Sequence, residues 1–385
     1  MNSVELFAGA GGLAIGLSKS GFNPKAVVEL NKHACNTLKK NSIFGYGESL
    51  FEGNVVDFDY KQVNEAIDLV SGGPPCQPFS IGGKAKGNDD SRDMFPEAVR
   101  AIREKRPKAF IFENVKGLLR KNFSEYFEYI IFQLQYPSVV KEESETWEEH
   151  RSRLEKYHTK LQHEELEYKV VYRLVNAADY GVPQKRERVF IIGFRSDVDA
   201  EWAFPEATHS EDSLLWDKWV TGEYWIRHNI DKPCIDERTD KKVAKLHKKY
   251  GLFRPIESPW VTVRDATSDL PDPKSPVAAQ HDQHIFKDGA KIYPGHTGSY
   301  IDEPSKALKA GAHGVPGGEN MIRYEDGSVR YFTVRESARI QTFPDDYLFE
   351  GAWGEIMRQL GNAVPAKLAE VIGLSVFNAV SQTRI

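Results

Sequence analysis

Short apolar runs alternate with amphipathic stretches through the first half of the chain. Apolar-rich runs stand at residues 3–7, 26–30, 68–71, 109–113, 169–175 and 188–194. They are too short for helices and rich in Val, Ile and Phe, which predicts buried strands. Between them, residues 13–19, 32–40, 95–104 and 124–134 read as helices. Parallel neighbours need a crossover, and helices supply it. The predicted fold class is therefore α/β, with a mostly parallel, doubly wound, Rossmann-like sheet. Ligands of such sheets bind beyond the carboxyl ends of the strands.

The pattern then changes twice. Residues 137–167 hold nine acidic and five basic side chains, which predicts a charged helical insertion lying solvated on the surface, with Trp147 and Tyr157 in it. From about residue 196 the alternation ends. Residues 289–318 contain seven glycines and read as loop. Regular structure returns near 333–341 and in a last helix near 366–380. The expected organisation is a large α/β domain over 1–199, a smaller loop-rich domain over 200–330, and a return to the first over 331–385.

Composition narrows the setting. With 385 residues and 40% hydrophobic side chains, a sizeable core is expected. Three cysteines (Cys35, Cys76 and Cys234) make no disulfide framework, which points to a reducing compartment. The chain opens without a charged and apolar leader, so no secretory signal is expected. No uninterrupted apolar run approaches about 18 residues, so no membrane span is expected either. The net charge of −5 argues against a basic nucleic-acid binder, but it says nothing about one face. Residues 238–254 carry seven basic side chains against Asp240 alone. That run fits a solvated helix face or a set of phosphate contacts, and composition leaves both open.

Two elements carry chemistry. Glu5-Leu6-Phe7-Ala8-Gly9-Ala10-Gly11-Gly12-Leu13 is a strand, a glycine turn and a helix start, and Glu29 ends the next strand. The turn lets backbone approach a ligand, and Glu29 is placed to accept two ribose hydroxyls. The pattern fits a dinucleotide and S-adenosylmethionine equally well. The second element is Gly72-Gly73-Pro74-Pro75-Cys76-Gln77-Pro78-Phe79-Ser80, directly after a strand. Prolines and glycines hold that backbone in one shape. A structural cysteine needs no such frame, whereas a nucleophilic thiolate does.

Further groups stand at strand ends: Glu113-Asn114-Val115, Gln184-Lys185-Arg186-Glu187-Arg188, and Gln359-Leu360-Gly361-Asn362-Ala363-Val364-Pro365. In this order the set resembles the DNA (cytosine-5)-methyltransferases, notably bacterial type II restriction–modification enzymes, over roughly 3–195 and 331–380. The resemblance implies an S-adenosylmethionine loop with Phe7 stacked on adenine, Gly9, Gly11 and Gly12 lining the turn, and Glu29 on the ribose. Asn54, Pro75 and Asn362 complete the implied cofactor set. It implies Cys76 as the nucleophile, Glu113 gripping the cytosine, Arg188 contacting the base and Arg186 supporting the site. No metal is implied.

The chemistry matches these residue types. A thiolate adding at C6 makes C5 enamine-like, a carboxylic acid stabilises the adduct at N3, and an arginine donates to O2. The base must first leave the duplex stack. The basic, glycine-rich segment after Cys76 suits a loop closing over DNA, with Ser80, Lys84, Lys86 and Arg92 as candidate contacts. By resemblance the 200–330 insert reads the target sequence, with His296, Thr297, His313, Asn320 and Arg323 as candidate base readers. The His281-x-x-His284 pair reads as surface histidines, because no further ligand completes a metal site. Cys35 reads as a small core residue, and Cys234 has no role.

Three positions depart from the family pattern. Asn54 stands where an aspartate is usual, Ala307-Leu308 where a Thr-Leu pair is frequent, and Gly82 where some relatives carry a polar loop residue. The expected partner is double-stranded DNA, met as a monomer in the bacterial cytoplasm, with a cognate restriction endonuclease acting separately. Methylation of RNA and DNA binding without catalysis are the alternative readings. The sizeable insert weighs against the first, and the complete catalytic set weighs against the second. A nicotinamide oxidoreductase would not need the Pro-Pro-Cys-Gln element.

Overall fold

The computed structural model describes residues 1–42, 46, 48–75, 93–160, 166–310 and 320–382. The chain forms two compact units. Unit 1 comprises Met1–Val175, Glu187–Pro205 and Ala369–Ile385, and unit 2 comprises Asn176–Arg186 and Glu206–Leu368.

Unit 1 is built on seven strands: β1 (Asn2–Leu6), β2 (Asn23–Glu29), β3 (Leu50–Glu52), β4 (Leu69–Gly72), β5 (Ala109–Val115), β6 (Tyr168–Asn176) and, after the short β7 (Gln184–Lys185) of unit 2, β8 (Glu187–Arg195). Their order is β3-β2-β1-β4-β5-β8-β6. Strands β3, β2, β1, β4 and β5 pair in parallel, and β8 runs antiparallel to β5. The mostly parallel α/β sheet is thus as expected. Strand β3 went unpredicted because three residues carry no period. The strand order reverses at β1, which has β2 on one side and β4 on the other, and such a switch point opens a crevice at the strand ends.

The sheet is buried on both faces, so its strands read as runs rather than alternations. Val4, Leu6, Val28, Val70, Phe110, Phe112 and Ile191 sit in one core. Helices α1 (Gly12–Lys19), α2 (Lys32–Lys40), α3 (Phe95–Lys105) and α4 (Ser124–Gln135) follow the predicted positions closely. Cys35 is buried on α2, as expected, with its thiol donating to the Glu29 carbonyl at 3.3 Å.

The charged insertion corrects its expectation. Helix α5 (Trp147–His158) opens with a capping box of Thr146 and Glu149. Its Leu154 is fully buried, and Trp147 and Tyr157 pack against the main core. His150 is also buried, bridging the Tyr129 hydroxyl at 2.9 Å and the Val139 carbonyl at 2.8 Å. Positions 147, 150, 154 and 157 lie on one helix face, so the many charges hide an apolar stripe.

Unit 2 carries short elements: α6 (Glu211–Leu215), a π-helix over Trp216–Thr221, α7 (Glu223–Arg227), α8 (Glu237–Tyr250), α9 (Val263–Thr267), α10 (Val334–Ile340) and α11 (Trp353–Asn362). Strand pairs join β9 (His209–Ser210) to β10 (Ser258–Pro259) and β12 (Ser305–Lys306) to β7. Three more strands, β11 (Ser299–Tyr300), β13 (Met321–Arg323) and β14 (Val329–Tyr331), form a small sheet. With little regular backbone, side chains hold the loops. Asp302 accepts Arg264 at 2.6 and 3.0 Å and the Tyr224 hydroxyl at 2.8 Å. Residues 331–368 cluster with this unit rather than with the sheet, since α10 packs on α9 and Arg339 clamps Asp269.

One further expectation changes. His284 is not at the surface: it is buried, with its ring nitrogens on Thr333 Oγ1 at 2.9 Å and the Pro271 carbonyl at 2.8 Å. Among the described residues the stretch Trp353–Gln382 is long and apolar enough to cross a membrane, although its apolar run is interrupted. It comprises α11 and α12 (Ala366–Gln382), broken at Pro365. Leu368, Ile372 and Val376 of α12 are fully buried, and its Phe377 packs edge-on against Phe22. This is a core helix by its packing.

Candidate active site

The glycine turn lies at the switch point. Phe7 has φ 55° and Gly9 φ 55°, so the chain turns through left-handed conformations between β1 and α1. Such a conformation costs a non-glycine residue about 1–2 kcal/mol, which the packing of Phe7 against the core offsets. A Cβ at Gly9 would meet nothing within 4 Å, so open space adjoins the turn. Glu29 is held from both sides. Its Oε2 accepts the Gly9 amide at 2.7 Å and its Oε1 the Asn31 amide at 2.6 Å. Asn54 uses its Oδ1 on the Val56 amide at 3.2 Å.

A residue missed in the sequence lies beneath this turn. Glu5 is only 2% exposed, and its register partner across the sheet is Ser71. Burial pushes its carboxyl up to about 8; the Ala14 amide opposes this and the Glu29 charge reinforces it. Helix α1 begins at glycines with no side-chain cap of their own, so Glu5 supplies an acceptor for the Ala14 amide near its start. A carboxylate in a strand next to a glycine turn was the available signal.

Strand β4 ends at Gly72, where a Cβ would stand 2.4 Å from the Leu6 carbonyl oxygen; only glycine allows β1 and β4 to run this close. The chain continues through Gly73 and Pro74 past β5. The Asn114 side chain donates to the Pro74 carbonyl at 2.9 Å, and the Met94 amide to the Pro75 carbonyl at 3.2 Å. Cys76, Ser80, Gly82, Lys84, Lys86 and Arg92 lie outside the described residues.

Glu113, at the end of β5, is 7% exposed. In the β5–β8 register it faces Phe190 while Val115 faces Arg188, so Glu113 and Arg188 are diagonal neighbours on one face. Arg188 Nε stands 2.7 Å from Glu113 Oε1, and Arg188 Nη1 donates to the Glu187 carbonyl at 2.8 Å. Glu113 Oε1 is buried, and its contact with Arg188 is ionic rather than hydrogen-bonded in geometry. A Cβ at Gly73 would stand 3.4 Å from Glu113 Oε2, which places the backbone leading to Cys76 beside this carboxylate.

Arg186 belongs to unit 2 and is 1% exposed. Its guanidinium donates to the Leu308 carbonyl at 3.1 Å and the Gly361 carbonyl at 2.8 Å. Gln184 works beside it, accepting the Leu308 amide at 3.0 Å and donating to Gln341 Oε1 at 3.1 Å. At Gly361 a Cβ would stand 2.3 Å from the Ala310 nitrogen. Together these residues fix the end of α11, from which Asn362 projects exposed. Gln184 and Gln341 were missed as positioning groups because each alone is an ordinary polar residue.

The candidate base readers differ in setting. Asn320 is fully buried and both ends of its amide hold the Lys309 backbone, at 3.1 and 3.0 Å. It is a structural clamp there, which corrects its assignment. Arg323 lies over the Tyr300 ring at 4.8 Å, His296 packs on Tyr293 at 4.4 Å, and Thr297 accepts Lys306 at 2.7 Å. His313 lies outside the described residues.

The family model described as C-5 cytosine-specific DNA methylase matches residues 1–136 and 142–378. The chain is 34% identical to the type II methyltransferase M.PspPI of Psychrobacter sp., over 98% of this chain and 79% of that protein. It is 32% identical to M.Eco47II of Escherichia coli, over the same shares. Its fold is similar to a crystal structure of a putative DNA modification methyltransferase encoded within an E. coli prophage, with a TM-score of 0.61, 20% identity, and coverage of 99% of this chain and 100% of that one. The S. pombe Dnmt2 methyltransferase is a further structural relative, with a TM-score of 0.55, 16% identity, and coverage of 99% and 98%. With its glycine turn and its Glu113–Arg188 pair at the sheet's carboxyl edge, the chain belongs to the C-5 cytosine-specific DNA methylase family.

Proposed function

We propose that this protein methylates one short sequence in double-stranded DNA at cytosine C5, protecting host DNA beside a separate restriction endonuclease. It would act as a monomer in the bacterial cytoplasm. Cys76 adds to C6 of a cytosine turned out of the duplex, and the electron pair moves towards C5 and N3. Glu113, in its protonated form, donates to N3 and Arg188 donates to O2, so both stabilise the adduct where charge builds up. Bound S-adenosylmethionine supplies the methyl group, which C5 takes as the sulfur leaves with its electron pair. Loss of the C5 proton to a base, for which a water suffices, then expels Cys76 as thiolate.

Support for the cofactor comes from the turn itself. A carboxylate held by two backbone amides, beside a glycine turn with open space, fits an adenosine with its ribose hydroxyls. Phe7, Gly9, Gly11, Gly12, Glu29, Asn54, Pro75 and Asn362 are the residues proposed to hold it. Arg323 is kept as a DNA contact, as are Ser80, Lys84, Lys86 and Arg92. The target-recognition role of 200–330 is likewise part of the proposal.

The single observation that carries the reading is the buried Glu113–Arg188 pair beside the backbone that leads into Cys76. The test is base-resolution mapping of 5-methylcytosine in a methylation-free host expressing the protein or its Cys76→Ser variant. Methylation of one motif, absent with the variant, is expected. An unmarked genome in the presence of folded protein would overturn the DNA reading and favour an RNA substrate.

A further inference from the structure

Helix α8 has two unlike faces. Its inner face is tied down: Leu246 is buried with Leu215 and Trp216, Lys242 pairs with Glu211 at 2.8 Å, and Lys249 pairs with Asp212 at 2.7 Å. The Tyr250 hydroxyl donates to the same Asp212 at 2.9 Å. Positions 238, 241, 245 and 248 make a second stripe, which is basic throughout and exposed. Lys241 pairs with Glu237 at 2.6 Å, both exposed. Lys245 and Lys248 form no ion pair among the described residues.

A solvated helix normally mixes charge signs along such a stripe. Here Lys241 and Lys245 are like charges four residues apart, and each such pair costs about 0.2–0.5 kcal/mol. The helix dipole favours cations only in the last turn, which accounts for Lys248 but not for Arg238 in the first turn or Lys245. A basic stripe in which only Lys241 has an acidic partner on its own helix, on a chain of net charge −5, suits something anionic. From residue 238 to 248 the stripe runs about 15 Å, and duplex DNA presents one charge per roughly 1.7 Å of axis. We infer that the outer face of α8 tracks the phosphate backbone of duplex DNA flanking the methylated site. The inference rests on the reading of the protein as a DNA methyltransferase and gives unit 2 a contact that reads no bases.

The apolar tip after α8 presents the competing occupant. Leu252, Phe253 and Ile256 are 94%, 82% and 100% exposed. They suit a protein surface, but the stripe beside them carries the charge that a nucleic acid matches.

The experiment measures duplex affinity against salt, with DNA of several helical turns containing the mapped motif. Lys245→Gln/Lys248→Gln is expected to reduce the slope of log affinity on log salt by about 2, since each phosphate contact contributes about 0.9. Lys245→Arg/Lys248→Arg should keep the wild-type slope, and so should the charge-matched control Lys19→Gln/Lys169→Gln, with both lysines exposed in unit 1. An unchanged slope in the first variant would overturn the contact, as would an equal drop in the control. So would an unchanged slope combined with a change of oligomeric state in Phe253→Ser, which assigns the surface to a second copy. Wild-type protein that binds no duplex at all would overturn the methyltransferase reading itself, a result distinct from these.

Discussion

Arg188 Nε stands 2.7 Å from Glu113 Oε1, on adjacent antiparallel strands and one face of the sheet. The pair does two things at once. The arginine compensates a buried carboxylate, and in the proposed reaction the two groups serve cytosine N3 and O2. Glu113→Gln should therefore lower turnover by about 10²-fold or more while S-adenosylhomocysteine binding stays within a few-fold of wild type. Single-turnover kinetics and calorimetry measure the two separately. Equal loss of both would make Glu113 structural. Arg188→Ala should cost of order 2 kcal/mol in denaturant unfolding, because it leaves a buried charge alone. Adding Glu113→Gln to that variant should recover part of the loss.

Arg186 is expected to tolerate no conservative change. Its fork bonds two carbonyls, at Leu308 and Gly361, and a lysine head has no planar fork to span both. Arg186→Lys should lower unfolding free energy by about 1–3 kcal/mol. Hydrogen exchange should rise around 308–310 and 361–363, and not in the sheet of unit 1. Protection unchanged at those segments would refute the clamp.

Glu5 predicts a pH dependence. Its carboxyl is pushed up from 4.5 to about 8 in the folded chain, chiefly by burial. The unfolded chain has released the proton by neutral pH while the folded chain still holds it. The stabilising effect is therefore complete below about 4.5 and is lost progressively as pH rises towards about 8. Glu5→Gln, which mimics the protonated form, should be more stable than wild type at pH 8.5 by an amount on the order of a kcal/mol or more. The advantage should shrink as pH falls. Parallel urea titrations across that range decide it, and a constant difference would refute the titration.

Glu29 organises the glycine turn proposed to hold the cofactor. Removing its carboxylate frees the Gly9 and Asn31 amides. Glu29→Ala should weaken S-adenosylhomocysteine binding at least about tenfold, the equivalent of one lost charge-assisted hydrogen bond. Glu29→Gln retains one acceptor and should fall between. Calorimetric titration gives both constants, and wild-type affinity in Glu29→Ala would remove it from the site.

Much of unit 1 was legible because its signals are local. The glycine turn, the runs of β5 and β8, and the strand-end Glu113 each follow from a few consecutive residues. Helix α5 was misjudged although its stripe of Trp147, His150, Leu154 and Tyr157 was present, because charge count masked periodicity. Unit 2 was far less legible. Its order comes from Asp302, Arg264 and Tyr224, which lie far apart in the chain and carry no period.

The sequence by itself determined all of the main sheet but its edge strand β3, the turn that fits a nucleoside and the chemistry at the strand ends, since backbone conformation and burial are set by neighbouring residues. The tertiary structure alone decided which polar residues serve the site and which serve the fold. Arg186 finds its carbonyls 122 and 175 residues away, and Asn320 spends its amide on Lys309. Such bonds depend on where distant segments come together, and a buried donor takes whichever acceptor the packing puts within reach.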